Sequence, residues 1–473
     1  MQFRTQIMVH TSTEEYKDIS VDVMAWNTSK AFGTPCGSWQ MTLSTRPDEK
    51  GLTWFDKLNA QDFVRLRISI GDGPFITVMN GLINRVERVT SVNAGGGQVS
   101  ESIAVIGLDL GKVLTKFHLW YNPYGDGLEG IISGMAIFSQ ALQGLSVEKA
   151  LQSILNIILN NDSDPIVKEL RSKQGAPLAV YFDPKNVGVP DATELLRLNA
   201  TVGKAISDTY HITTMQGDIW TAMKRWANEP WNEFFVDNGH PGNAADSAGD
   251  GGTQSLKTDD NVTYVNLRPV PFKKDSRTRL VTHDISYEDI QSPFAVSKGD
   301  DDVYSAYFAY PSFMLHLTPT NAKAMSGGTV IIQDKDATST TALGRIRAGT
   351  SVANRYGFRI LEATSIYVTL GSSDDGKKTL EEKLPLQNDK VESLTNDLVE
   401  FFDPNPKFLQ CNVRVKSNRT KTLIKIGHRV RITDNLKSRP TETYYVTAVS
   451  TEWQFSGSFT QTLRLMRGVV GDD

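Results

Sequence analysis

Apolar and polar residues alternate through the first part of the chain. Asp18-Ile19-Ser20-Val21-Asp22-Val23-Met24-Ala25-Trp26 and Gly37-Ser38-Trp39-Gln40-Met41-Thr42-Leu43-Ser44 carry the two-residue period of strands with one face buried. The same period marks Asp62-Phe63-Val64-Arg65-Leu66-Arg67-Ile68, Val78-Met79-Asn80-Gly81-Leu82-Ile83 and Glu101-Ser102-Ile103-Ala104-Val105-Ile106. Gly71-Asp72-Gly73-Pro74 predicts a turn and Gly95-Gly96-Gly97 a hairpin tip. Leu52-Thr53-Trp54-Phe55-Asp56-Lys57-Leu58 breaks the alternation and predicts a short helix or turn. Residues 1–118 therefore read as a small β barrel or sandwich.

The end of the chain echoes this arrangement. His428-Arg429-Val430-Arg431-Ile432 is followed by Tyr444-Tyr445-Val446-Thr447-Ala448-Val449 and then by Phe459-Thr460-Gln461-Thr462-Leu463-Arg464-Leu465. Each set is a strand, a turn, a strand entering a hairpin, and a closing alternating strand. Two similar β modules at opposite ends of one chain imply duplication with material inserted between them.

That insert has a different character. Ile131, Met135, Phe138 and Leu142, then Val147, Leu151, Ile154, Leu155 and Ile158, recur at helical spacing and predict a helical pair over 128–160. Gly130-Ile131-Ile132-Ser133-Gly134 matches a membrane-helix dimerisation pattern. Ser133, Ser139, Gln140, Gln143 and Gly144 nevertheless leave the run short of the roughly 20 apolar residues of a span. A buried or partner-packed pair is expected, with no membrane partner. Asp191-Ala192-Thr193-Glu194 offers a helix start, and Ile219–Trp226 is expected to be an amphipathic helix leading into a strand at Pro230–Asp237. The Gly-, Ala-, Ser- and Asp-rich stretch 239–255 predicts a mobile loop. Thr263–Arg268 reads as a strand stopped by Pro269 and Pro271. Residues 284–310 read as strand, acidic turn and strand, and 371–400 as a charged helical stretch.

Bulk numbers narrow the classes. The chain has 473 residues, enough for three or four domains, with 39% hydrophobic and 22% charged residues. A formal net charge of -4 gives no basic excess for a dedicated nucleic-acid binder. Lys273-Lys274 with Arg277 and Arg279 reads as solvated surface. The two cysteines, Cys36 and Cys411, cannot make a zinc site alone; each falls in one echoing module, as a buried small side chain or as half of a bridge. The N-terminus shows no signal-peptide pattern.

The chemistry-bearing candidates are weak. His283-Asp284 stands without a Gly-x-Ser-x-Gly or His-Glu-x-x-His context, so strand packing is the better reading. Cys36 would need an activating base to act as a nucleophile. Gly107-Leu108-Asp109-Leu110-Gly111-Lys112-Val113 imitates a phosphate-binding loop but is one residue short and lacks the Ser or Thr for magnesium. Asp300-Asp301-Asp302 lacks the alternating spacing of a calcium loop. Trp220, Trp226 and Trp231 read as core rather than as a sugar-binding face. No catalytic, cofactor or metal residue is predicted, and no cofactor.

Three segments then carry a likeness. They are Pro230-Trp231-Asn232-Glu233-Phe234-Phe235-Val236-Asp237 with Val265-Asn266-Leu267-Arg268-Pro269-Val270-Pro271-Phe272; Asn354-Arg355-Tyr356-Gly357-Phe358-Arg359; and Tyr444–Trp453 with Thr462-Leu463-Arg464-Leu465-Met466-Arg467-Gly468. In this order they resemble the central baseplate hub proteins of contractile-tailed phages; the helical pair at 128–160 departs from that pattern. The resemblance implies a mainly β, multidomain chain with α+β insertions and two tail-tube-like β barrels. The first barrel would span 1–118 and the second 280–315 plus 405–473, with an outer domain at 119–279 and 316–404. It further implies a homotrimer whose six barrels form a pseudo-hexameric ring between a hexameric tail tube and a trimeric spike. The expected partners are therefore the tail tube protein and the central spike protein, with tape-measure and baseplate wedge proteins beside them and no specific nucleic acid. The expected location is the virion baseplate, assembled in the host cytoplasm, with the ring forming part of the DNA ejection channel. The alternatives are a tail-associated peptidoglycan hydrolase and an all-β receptor- or carbohydrate-binding module.

Overall fold

The computed structural model describes residues 3–11, 17–92, 99–116, 118–119, 178–182, 217–226, 232–238, 262–270, 280–291, 294–300, 303–311, 347–348, 354–365, 402, 409–416, 423–433 and 441–470. The expected helical pair at 128–160, the loop at 239–255, the helix start at Asp191, the charged stretch 371–400, Lys273, Lys274, Arg277, Arg279 and Trp231 lie outside them. The strands begin with β1 (Phe3–His10), β2 (Lys17–Asp18), β3 (Val23–Ala31), β4 (Ser38–Leu43), β5 (Phe63–Ile70), β6 (Ile76–Val92) and β7 (Val99–Asp109). They continue with β8 (His118–Leu119), β9 (Leu178–Phe182), β10 (Gly217–Asp218), β11 (Asn232–Asn238), β12 (Thr263–Pro269), β13 (Thr282–Ser286) and β14 (Ala295–Ser297). The last are β15 (Ala306–Pro311), β16 (Arg347–Ala348), β17 (Ile360–Ser365), β18 (Leu409–Lys416), β19 (Arg429–Thr433), β20 (Glu442–Gln454) and β21 (Ser458–Val470). Helices α1 (Trp54–Lys57), α2 (Lys112–Lys116) and α3 (Ile219–Trp226) are short. The architecture is mainly β, as the alternation predicts.

One 13-stranded sheet carries both ends of the chain, in the order β14-β18-β21-β20-β3-β4-β7-β6-β5-β1-β2, with β13 and β19 branching from β20. The three N-terminal echo strands form the antiparallel meander β5-β6-β7 and the three C-terminal ones form β19-β20-β21. The unanticipated element is their junction. The far half of β20 pairs antiparallel with β3, from Ala448 opposite Ala31 to Gln454 opposite Ala25. One ladder thus joins strands more than 400 residues apart in sequence.

Alternation sends one face of each strand inward, and the buried residues separate into two clusters. The first holds Ile7, Trp26, Trp39, Met41, Leu66, Ile83 and Val105, and takes Trp453, Phe459 and Leu423 from the C-terminal part. The second holds Ile285, Cys411, Val413, Val430, Ile432, Val446, Leu463 and Leu465. Trp26 and Trp453 face each other across the junction with ring centroids 6.5 Å apart. Each fully buried ring or aliphatic chain contributes about 2 kcal/mol by removal from water, so the interlocked aromatics add to the junction's hydrogen bonds in holding the two halves together.

Three smaller sheets accompany the large one: β8 pairs antiparallel with β10, and two further sheets have three strands each. In the first of these, β12 pairs antiparallel with β11 and parallel with β9. The second has the order β16-β15-β17, so Ala306–Pro311 pairs there and not with the C-terminal meander.

Candidate functional site

The candidate site is the junction between the two meanders, together with the hairpin that straps it. The correspondence between the meanders extends to single hydrogen bonds. Before β5, Asp62 N–H donates to Asn59 O at 3.3 Å; before β19, His428 N–H donates to Lys425 O at 3.3 Å. The side chains at the same two positions accept from the turn: Asn59 N–H to Asp62 Oδ2 at 2.7 Å, and Lys425 N–H to His428 Nδ1 at 3.4 Å. The residue between is left-handed in both, Gln61 and Gly427 each at φ 77°. Each donates its N–H across to the long strand, Gln61 to Ile83 O and Gly427 to Val446 O. Each long strand then slips by one residue against its hairpin partner, between Ile83 and Arg85 and between Val446 and Ala448.

Following the registers outward extends the match. Trp39 lies opposite Gly107 as Cys411 lies opposite Leu465. Thr28 lies opposite Trp39 as Val296 lies opposite Cys411, which aligns β3 with β14. Val23 pairs with Leu43 as Ile290 bridges to Val415. With these anchors a 3-10 turn precedes the matched residue in both modules, Ser20–Asp22 before Val23 and Tyr287–Asp289 before Ile290, and Ser29-Lys30 repeats as Ser297-Lys298. β1 is the difference. It stands between β2 and β5 in the first module, whereas β13 pairs directly with β19 in the second.

The hairpin β11–β12 fastens the two modules through buried charges. At one end Glu233 and Arg268 form an ion pair, and Tyr445 donates its hydroxyl to Glu233 Oε1 at 2.6 Å. Arg268 also donates to Gly427 O at 2.7 Å, so it reads the duplicated turn directly. A Cβ on Gly427 would lie 2.1 Å from the Arg268 guanidinium, so the turn needs glycine here for space as well as for its backbone angle. Burial opposes the Arg268 charge, but Glu233 outweighs it and holds the guanidinium fully protonated. Burial, reinforced by Glu233, raises the Tyr445 hydroxyl well above its ordinary range and keeps it a donor.

At the other end Lys30 of β3 reaches Asp237 of β11 at 2.8 Å and Asp109 of β7 at 3.7 Å. Burial again works against the ammonium, and the two carboxylates more than restore it. Asp109 is pushed up to about 6 by burial, despite the lysine. Asn80 donates to Thr263 Oγ1 at 3.3 Å, and Lys425 Nζ donates to Asn238 O at 2.7 Å. Phe32, just past β3, stacks on Tyr445 at 5.7 Å and meets Phe235 edge-on at 5.0 Å. The strap therefore touches both modules where they join.

The sequence candidates fall into structural places. His283 is buried against His428, with Nε2 2.8 Å from Nδ1. Because His428 Nδ1 also accepts from Lys425 N–H, His283 Nε2 is the donor. Burial lowers His283 to about 4 and His428 well below its usual value, so both rings are neutral. Asp284 points the other way, into a two-pronged pair with Arg431 at 2.5 and 3.1 Å, so the two neighbours form no catalytic dyad. Cys36 and Cys411 are free thiols, pushed by burial to about 11 and about 12, unsuited to nucleophilic work.

The phosphate-loop mimic is the end of β7 running into α2. A Cβ on Gly107 or Gly81 would lie 2.2 or 2.3 Å from the Trp39 indole, so these glycines serve packing. Asp300 pairs with Arg359 at 3.3 Å, while Asp301 and Asp302 lie outside the described residues. Trp220 is buried against Phe234 with ring centroids 4.6 Å apart. Among the described residues no cluster of His, Cys, Asp and Glu could hold a metal, and no helix is long and apolar enough to cross a membrane. Sequence reading missed Lys30, Asp109, Glu233, Arg268 and Tyr445 as a set. Charged residues at inward positions of alternating strands were the available signal.

No protein-family profile matches the chain, and no curated protein matches it in sequence. The solved structures it is similar to lie below a TM-score of 0.5. The chain is similar to the tail protein from Neisseria meningitidis MC58 at 12% identity and a TM-score of 0.47, over 99% of this chain and 97% of that one. It is similar to the 43 kDa tail protein of prophage MuSo2 from Shewanella oneidensis at 9% identity and a TM-score of 0.45, over 98% of both chains. An Escherichia coli component of the type VI secretion system matches at 8% identity and a TM-score of 0.36, over 95% of this chain and 74% of that one.

Proposed function

We propose that this chain is a structural hub of a contractile tail baseplate, a trimer whose six β modules form one ring. The observation that carries the reading is the duplication, matched at the turns of Gln61 and Gly427 and at the bulges after Ile83 in β6 and after Val446 in β20. A chain with two equivalent modules can present six similar faces as a trimer, and this is a physical solution for meeting a sixfold tube on one side and a threefold spike on the other. The first module is residues 1–118, and the second is the ladder-connected part of 280–315 together with 405–473. The strap and the remaining segments form the outer domain.

On this reading the work is done by interfaces, and no residue is assigned a catalytic role. The tail tube and the central spike are the partners on the two rims, with tape-measure and wedge proteins nearby. The setting is the virion baseplate, assembled in the host cytoplasm. A net charge of -4 suits a channel that must pass DNA without holding it. The test is the mass of the purified chain by light scattering. Three times the 52.3 kDa chain mass is expected. A monomer that clears peptidoglycan would overturn the reading in favour of a hydrolase.

A further inference from the structure

We infer that Lys30 and Asp237 condense to a side-chain amide, an isopeptide bond between β3 and the strap strand β11, with Asp109 of β7 carrying the protons. The bond forms once within each chain and needs no partner, so it stands apart from the ring reading.

The three groups converge from two sheets, β3 and β7 in the large one and β11 in a smaller one. Lys30 Nζ lies 2.8 Å from Asp237 Oδ1 and 3.7 Å from Asp109 Oδ2. The side chains of Lys30, Asp109 and Asp237 are 10%, 0% and 7% exposed, so the site is closed to bulk water. Two glycines make room for it. A Cβ on Gly37 would lie 2.7 Å from Lys30 Cγ, and one on Gly111 would lie 2.9 Å from Asp109 Oδ1 and 2.1 Å from the Pro35 carbonyl oxygen. Asp109 Oδ1 accepts from Gly111 N–H at 2.9 Å, which fixes this carboxyl. Its Oδ2 is buried, makes no hydrogen bond among the described residues, and is the oxygen on the lysine side. Asp237 is fixed in the same way, with Oδ1 accepting from Asn238 N–H at 2.8 Å.

A lysine amine against one carboxyl, with a second carboxyl beside it, is the set of groups that amide formation needs. At rest the two carboxylates outweigh burial and hold the ammonium charged. The ammonium first passes a proton to the Asp237 carboxylate. Burial lowers the cost of that exchange, because two charges give way to two neutral groups. The nitrogen lone pair then attacks Cγ of Asp237. Asp109 takes a proton from the nitrogen and delivers it to the departing hydroxyl. The N–Cγ bond forms, one Cγ–O bond breaks with its electron pair, one water leaves, and Asp109 ends as it began. Burial pushes Asp109 up to about 6, which suits a group that takes and releases a proton near neutral pH. Strands hold the reacting groups in contact, which replaces a bimolecular encounter by an effectively unimolecular step. Exclusion of water protects the amide from hydrolysis.

The opposite end of the strap has the same plan without this chemistry. There Arg268 meets Glu233, and a guanidinium that stays protonated is no nucleophile. One clasp remains ionic and the other locks. Lys30 and Asp237 are 207 residues apart, so a single bond closes a long loop and ties the first module to the strap. Cys36 and Cys411 are free and supply no such tie.

The intact mass of the full chain, purified and then unfolded in denaturant, tests the bond. The expected mass is below the sequence mass by one water. Trypsin should fail to cut after Lys30, and the digest should contain a branched peptide joining the segments around residues 30 and 237. Lys30→Arg keeps the charge but cannot condense, and should restore the full mass. Asp109→Asn removes the proton carrier and should also leave the full mass. The native mass and digest decide the question even where a variant fails to fold. A native chain at its full sequence mass, cut normally after Lys30, would overturn the inference and leave an ion pair in its place. A lost water mapped to any other pair of residues would overturn it too. An Asp109→Asn chain that condenses as the native chain does would overturn the part given to Asp109.

Discussion

The two modules share a plan but are secured differently. The turn before β5 forces Gln61 into a left-handed conformation, whereas the turn before β19 has Gly427 at the same angle. The first module holds its charged partners in a triad of Lys30, Asp109 and Asp237; the second holds Arg268 against Glu233 and Tyr445. The first is completed by an extra strand, β1, while the second admits β13 directly beside β19 and is broken in sequence between β14 and β18. A duplicated unit keeps its hydrogen-bond skeleton, because the backbone cannot change it piecemeal. Its side chains are free to specialise, and here they have specialised to grip one strap from two sides.

The largest effect should come from breaking one grip. Glu233→Ala leaves Arg268 buried and uncompensated, and should cost about 3–5 kcal/mol in urea unfolding. Lys30→Met leaves two buried carboxylates facing each other and should cost about 3 kcal/mol, with part recovered by adding Asp109→Asn. Equal and additive losses for the two ends would show independent clips; a coupled loss would show one strap.

The modules should also differ in acid. His283 has its folded pKa depressed to about 4, so its contribution is present above pH 6.5 and is lost as the pH falls toward 4. Asp109 is raised to about 6, so its contribution is present below its unfolded value and is lost as the pH rises through 6. The two oppose each other over the same window. His283→Asn should flatten the loss of stability between pH 7 and pH 5 by about 2 kcal/mol, and Asp109→Asn should steepen it by about 1 kcal/mol. Thermal melts across that range would separate them.

A smaller effect distinguishes the two turns. Gln61→Gly should stabilise the chain by up to about 1 kcal/mol by relieving the left-handed backbone, whereas Gly427→Ala should destabilise it through both the angle and the Arg268 guanidinium. The smallest effect is expected at the surface, where Arg431→Ala breaks the exposed pair with Asp284 and should change stability by less than about 1 kcal/mol.

The strands of both meanders were legible because each buries one face, and alternation records that burial directly. Asp62–Ile68 and His428–Ile432 could be recognised as counterparts from this pattern alone. The equivalence of β3 and β14 was not, because β14 is three residues long and its echo, the dipeptide Ser-Lys, is too short to stand out. The β20–β3 ladder left no mark either. Its backbone hydrogen bonds are indifferent to residue type, and its partners lie over 400 residues apart. Of the candidate site, Glu233 and Arg268 were visible only as parts of a resemblance. Their pairing depends on β11 and β12 lying in register, which neither strand encodes by itself. His283 and Asp284 showed the opposite failing: adjacent in sequence, they point to opposite faces of β13 and share no chemistry.

The measurement that bears most directly on the central claim is class averaging of the purified particle by electron microscopy. The account predicts a closed threefold ring with six similar lobes around an open pore. A compact particle without a pore, or a ring with three lobes, would contradict it.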